Sequence, residues 1–168
     1  MTPARAIPTL RLHALPKNRA FWDSEEPEVC GLLLERTRAL AAIQHPALHM
    51  PTVLEVDGRP VRVDAAPEWL SVREAVELGI RLTRHHGALL ECDLVSAIRR
   101  LHNHGLIHGN VNEETVYIRE DGRRVVLSCP APLLEAPWTA EWHNDLSGVR
   151  DVVSLLETSS WWRGRKAR

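Results

Sequence analysis

Residues 101–129 read LHNHGLIHGNVNEETVYIREDGRRVVLSC, and the fold turns on how this stretch is parsed. An apolar helix end (Leu101) runs into Gly105, which suits a chain reversal. Ile107-His108-Gly109-Asn110 comes next, then two short β-like runs, Thr115–Ile118 and Val125–Leu127, separated by an Asp121-Gly122 turn. A long helix that hands over to a polar loop and then a hairpin is an arrangement that positions side chains in a loop held on both sides.

Working outward, Ala88–His102 carries Leu89, Leu90, Leu94, Ile98 and Leu101 at helical spacing. Ser71, with Glu74 three residues on, predicts a capped helix over Val72–Arg84. Met50–Val56 and Arg59–Ala65 alternate about Asp57-Gly58, a hairpin signal. Asp23-Ser24-Glu25-Glu26-Pro27 opens a helix that extends to about Gln44, where His45-Pro46 stops it. Thr9–Leu15 reads as a single strand closed by Pro16, and Asp145–Leu156 as a last, strongly apolar helix. Strands first and helices mostly after them indicate an α+β fold.

The 168 residues suit one domain or a small two-lobed one. Charge is balanced, 21 basic against 22 acidic residues, so there is no bulk electrostatic case for nucleic acid. Three widely spaced cysteines without a C-x-x-C pair read as buried thiols in a reducing compartment rather than a disulfide framework. No apolar run approaches a membrane span and no signal-peptide core is present, so a soluble cytoplasmic protein is expected; a fragment of a larger membrane protein would look the same.

Leu101-His102-Asn103-His104-Gly105-Leu106-Ile107-His108 resembles the L-H-x-x-G-[IL]-x-H lead-in to the catalytic loop of protein kinases. Ile43-Gln44-His45-Pro46-Ala47-Leu48 resembles the close of the kinase C-helix, Leu10–Lys17 the strand that bears the phosphate-binding lysine, and Asp145-Leu146-Ser147-Gly148-Val149 the start of the F-helix. The agreements fall in the family's order. The resemblance implies a truncated, bacterial-type member. Residues 1–68 would be a remnant N-lobe (lysine strand, C-helix and the two following strands), 69–160 a minimal C-lobe from a D-like to an F-like helix, and 161–168 a basic tail. Such a member would lack the glycine-rich loop, since only nine residues precede Leu10, and would lack the late C-lobe helices. A composition rich in Ala, Arg, Leu and Pro points the same way, to a high-GC bacterium.

Within that resemblance the chemistry is missing. The phosphate lysine falls at His13 and its glutamate partner at Arg36, with Glu35 about 100° off that face. The catalytic base falls at Asn110, the loop lysine at Asn112, one metal ligand at Thr115, and the metal-binding D-F-G at Ser128-Cys129-Pro130. Losing single members of such a constellation commonly costs orders of magnitude in rate. The resemblance therefore implies a pseudokinase without cofactor or metal, serving as a protein-binding scaffold or regulatory module. The competing class is a nucleotide-binding switch, in which His13 and Arg36 offer charge to a phosphate, or a transferase of altered chemistry on the same frame. Arg36 could equally face solvent or pair with Glu35 or Glu114.

Nine histidines invite a metal reading, but His102, His104, His108 and the His85-His86 pair match no tight ligand spacing. Cys92 and Cys129 read as structural thiols, and Ser128 and Asp121 have no organised base in sequence reach. The family implies structural roles for His108 and for Asp145, whose buried carboxylate should accept backbone amides around 108–110. Val149, Val152, Val153, Leu155 and Leu156 make the last helix apolar on more than one face. Leaving roughly 400 Å² of it bare would cost on the order of 10 kcal/mol. Val152, Leu156, Trp161 and Trp162 are thus interface candidates, with the uncovered edge of the Leu10–Lys17 strand, for a partner protein or a second copy; the tryptophans folding back is the other cover.

Overall fold

The computed structural model describes residues 11–15, 19–57, 59–65, 67–128 and 141–157. The chain forms two compact units, Met1–Gln44 with Met50–Ala66, and His45–His49 with Pro67–Arg168.

Among the described residues the first unit is a four-stranded antiparallel sheet with one helix. Strands β1 (Arg11–Leu15), β2 (Arg19–Asp23), β3 (Thr52–Val56) and β4 (Arg59–Ala65) lie in the order β1-β2-β4-β3. Asp57, at φ 51°, begins the two-residue connection that brings Val56 opposite Arg59; short Asx residues tolerate that left-handed conformation and set the hairpin twist. Helix α1 (Pro27–Ala41) starts with proline, whose missing N–H is no loss in a first turn. Ser24 Oγ accepts the amide of Glu26 (3.1 Å) just before it. Val29, Leu33, Leu34, Thr37 and Leu40 are its buried stripe and it packs on β3 and β4, where Val61 and Val63 are buried.

Two expectations for this half are corrected. A second strand, β2, lies between β1 and the helix, pairing His13 with Phe21. Strand β1 therefore does not lead into α1, and His13 sits one strand farther out than the lysine register required. A five-residue run such as Arg19–Asp23 carries too little periodicity to register, and its partners on β4 (Phe21↔Val63, Trp22↔Arg62) are about 40 residues away in sequence. The helix also ends at Ala41, not near Gln44.

The second unit holds the other sheet, β5 (Leu70–Ser71), β6 (Val116–Ile118) and β7 (Val125–Leu127) in that order, all antiparallel. Its helices are α2 (Val72–Glu77), α3 (Arg84–His102) and α4 (Glu141–Leu156). Ser71 and Glu74 close a reciprocal capping box on α2. The helix expected to reach Arg84 is cut short. Gly79 takes φ 77°, its N–H returns to Val76 O (3.0 Å), and Ile80 N–H reaches Ala75 O (2.8 Å), which is a Schellman ending. Thr83 Oγ1 then caps α3 by accepting His86 N–H.

Helices α3 and α4 pack along each other, and α2 also lies against α4. Leu90, Leu94, Ala97, Ile98 and Leu101 meet Val149, Val152, Val153 and Leu156 in one buried core. This overturns the expectation of a bare last helix: Val152 and Leu156 are interior residues, not interface candidates, and of the five apolar residues only Leu155 is open, at 46 %. The short α2 and the Leu82–Glu157 bridge bring cover that periodicity could not reveal. Trp161, Trp162 and Cys129 lie outside the described residues. Among the described residues no helix is long and apolar enough to cross a membrane.

Leu156→Ala should therefore lower the unfolding free energy by about 2–5 kcal/mol through transfer and cavity terms, while Leu155→Ala should stay within about 0.5 kcal/mol. Urea unfolding of the two variants checks the contrast; equal effects would mean the helix is not enclosed as described.

Candidate functional site: the loop held by Asp145

All of this site belongs to the second unit. Helix α3 ends at His102, the chain turns at Gly105 (φ 70°), and Leu106 N–H returns to Leu101 O at 3.1 Å. Leu106 and Ile107 are buried and anchor the start of the polar loop. His108 is wholly enclosed. Its Nε2–H donates to Ser128 O (2.8 Å), just past β7, and its Nδ1 accepts Asn110 N–H (3.3 Å). These two partners select the Nε2–H tautomer.

Asp145, in the first half of α4, is 1 % exposed. Its Oδ2 accepts His108 N–H (2.9 Å) and His102 Nε2–H (3.0 Å), and its Oδ1 accepts Gly109 N–H (2.9 Å). A buried carboxylate is tolerated when its lone pairs are filled in this way. Gly109, at φ 77°, permits the turn that aims two successive amides at one carboxylate. One turn farther along α4, a Cβ on Gly148 would come within 2.6 Å of Val111 O, so the loop rests directly on the helix and only glycine fits beneath it.

Beyond Gly109 the polar side chains bond to one another. Asn112 Nδ2 donates to Asn110 Oδ1 (2.7 Å), and Asn112 Oδ1 accepts the amides of Glu114 (2.8 Å) and Thr115 (3.1 Å). Thr115 Oγ1 donates to Asn110 O (2.7 Å) and accepts Asn112 N–H (3.0 Å). Neutral amides and a hydroxyl at these positions can donate and accept, but they cannot take a proton from a nucleophile near neutral pH. The nearest loop acids, Glu113 and Glu114, face Arg73 at 2.9 and 3.0 Å. Asp121 sits in the β6–β7 turn; its carboxyl is held below the usual range chiefly because it accepts Arg123 N–H, with Arg119 beside it. That makes it a turn former that stays ionised rather than a poised acid.

The structure thus gathers Asn110, Asn112, Thr115, Ser128, His108 and Asp145 around one loop. His13 and Arg36 belong to the other unit, on β1 and α1. From sequence, His102 registers only as a helix end. Its place four residues after Ile98, on the buried face, is the available signal that it needs an interior partner. Among the described residues no group of three His, Cys, Asp or Glu could hold a metal ion.

No family model matches the chain. No curated protein matches it. Among solved structures it is similar to the crystal structure of Rad53 1–466 in complex with AMP-PNP, at a TM-score of 0.61 and 14 % identity, over 94 % of this chain and 46 % of that one. The fold is kinase-like. The chain spans just under half the length of that structure, and the likeness at this identity concerns the fold alone.

Asp145→Ala should orphan the buried His108 amide and the His102 N–H and release the part-buried Gly109 amide, at roughly 1–3 kcal/mol for each buried group, for a loss of about 3 kcal/mol or more. Asn112→Ala, in the part-exposed half of the loop, should cost about 1 kcal/mol. Chemical denaturation with intact-fold controls by circular dichroism distinguishes them, and a smaller loss for Asp145→Ala than for Asn112→Ala would contradict the role given to the carboxylate.

Proposed function

We propose that this chain is a catalytically inactive pseudokinase domain that works as a protein-binding scaffold or regulatory module. The observation that carries the reading is the composition of the loop. Where a phosphoryl-transfer enzyme of this fold needs a base and metal-holding groups, Asn110, Asn112, Thr115 and Ser128 stand, the first three tied into a local hydrogen-bond circuit. The backbone that would present such groups is held by Asp145 all the same. A fold whose positioning elements persist without the reacting groups is left with recognition as its use. The free thiols Cys30 and Cys92, the first half-buried and the second exposed rather than buried as expected, suit a reducing, cytoplasmic setting, and the composition suits a bacterial source.

The second reading is a nucleotide-binding switch. It draws on the similar Rad53 structure, which is a complex with AMP-PNP, and on Arg36 as a source of positive charge. Purified protein with labelled ATP and Mg²⁺ or Mn²⁺ should incorporate no phosphate into itself or generic substrates; incorporation abolished by Asn110→Ala would overturn the first reading. In a thermal-shift scan with AMP-PNP the melting temperature should not move. Ligand at a hundred times its Kd would stabilise by about 2.7 kcal/mol and raise the melting temperature by several degrees, which would establish the second reading instead.

A further inference from the structure

The segment His45–His49 has an unusual place in the chain. The residues before and after it belong to the first unit, while these five belong to the second. They lie along β7, an outer strand of the β5-β6-β7 sheet. Leu48 bridges Leu127 in parallel, Leu127 N–H donates to Ala47 O (2.9 Å), and His49 N–H donates to Leu127 O (2.8 Å). The segment is a strap that occupies a sheet edge which would otherwise offer free donors and acceptors.

His45 fastens its leading end. The ring Nδ1 accepts Ala47 N–H (3.1 Å), and Nε2 bonds Ser96 Oγ on α3 (3.1 Å). Pro46, between them, has no N–H of its own. Both ring nitrogens are used, and they are used in the neutral state: Nδ1 must carry a lone pair to accept the amide. A second proton could only land on Nδ1, where it would face the Ala47 N–H.

We propose that His45 is a pH-sensitive latch, whose protonation breaks the Ala47 bond and loosens the His45–His49 strap from α3 and β7 in mildly acidic solution. Among the described residues the charged groups around the ring are on α3 and on the strap itself. Partial burial is the largest influence and lowers the ring's pKa from 6.5; Asp93 opposes this and Arg100 adds to it. Glu91, Cys92 and Arg99 line the same groove of α3, His49 is the strap's other titratable group, and β7 (Val125–Leu127) contributes no ionisable side chain. Linkage fixes the sign. With the folded pKa below the unfolded one, the latch's contribution is complete above about pH 6.5 and is lost as pH falls through the lowered value.

The experiment is amide exchange by NMR, corrected for intrinsic rates, between about pH 7.5 and pH 5. Protection at Ala47, His49 and Leu127 should fall several-fold across this range. Amides of β6, such as Val116, should keep theirs. In His45→Asn the side-chain Oδ1 can accept the amide two residues on and does not titrate, so protection at Ala47 should become independent of pH. The proposal is overturned by flat protection in the parent, by the same loss in His45→Asn, or by parallel loss at Val116, which would signal global acid unfolding. A parent ring titration settles the matter even if the variant folds poorly: a His45 pKa at or above 6.5 excludes the latch.

Discussion

One carboxylate organises the second unit. Asp145 is nearly inaccessible and fills its lone pairs with two backbone amides of the loop and one histidine ring. Removing any of these donors would leave charge uncompensated in the interior, and removing the carboxylate would strand the donors. The three elements it joins, the end of α3, the 108–109 loop and α4, therefore stabilise one another. His108 extends the same network to the end of β7 through Ser128 O, so helix pair and sheet are tied by hydrogen bonds as well as by apolar packing.

This dependence separates shape from chemistry. The loop's path is set by Gly105 and Gly109 in left-handed conformations, by His108 and Asp145, and by the close approach of Val111 to Gly148. None of these groups has to react with anything. Asn110, Asn112 and Thr115 complete the turn with neutral hydrogen bonds, which leave no charge for a metal to balance. A chain can keep a kinase-like loop on these terms whether or not it transfers phosphate.

The core follows the same economy of elements. Helix α4 is apolar on more than one side because α3 and α2 both lie against it, and the cost of exposing such a helix is met inside the unit rather than by a partner. The first unit solves a smaller problem in a different way. Its sheet carries the fully buried Arg62, whose Nε bonds Asp64 Oδ1 (2.8 Å) while Trp22 Nε1 bonds the other oxygen (2.8 Å), so three strand residues from β2 and β4 share one ion pair.

What could be read from the sequence was what neighbours along the chain decide. The helix stripes of α1, α3 and α4, the capping box at Ser71 and Glu74, and the Asp57-Gly58 hairpin are local patterns with local causes. So was the spacing that put His108 and Asp145 at matching points of a known frame. What escaped was decided by groups distant in sequence. Strand β2 pairs locally with β1, but its interior place in the sheet depends on β4, some forty residues on. The covered face of α4 depends on where a six-residue helix ends, which a single Gly79 sets. The partnership of His102 with Asp145, 43 residues apart, and the docking of the His45–His49 strap on β7 likewise arise only when the chain closes on itself. Periodicity reports which side of an element is apolar; only the tertiary structure reports what lies against it.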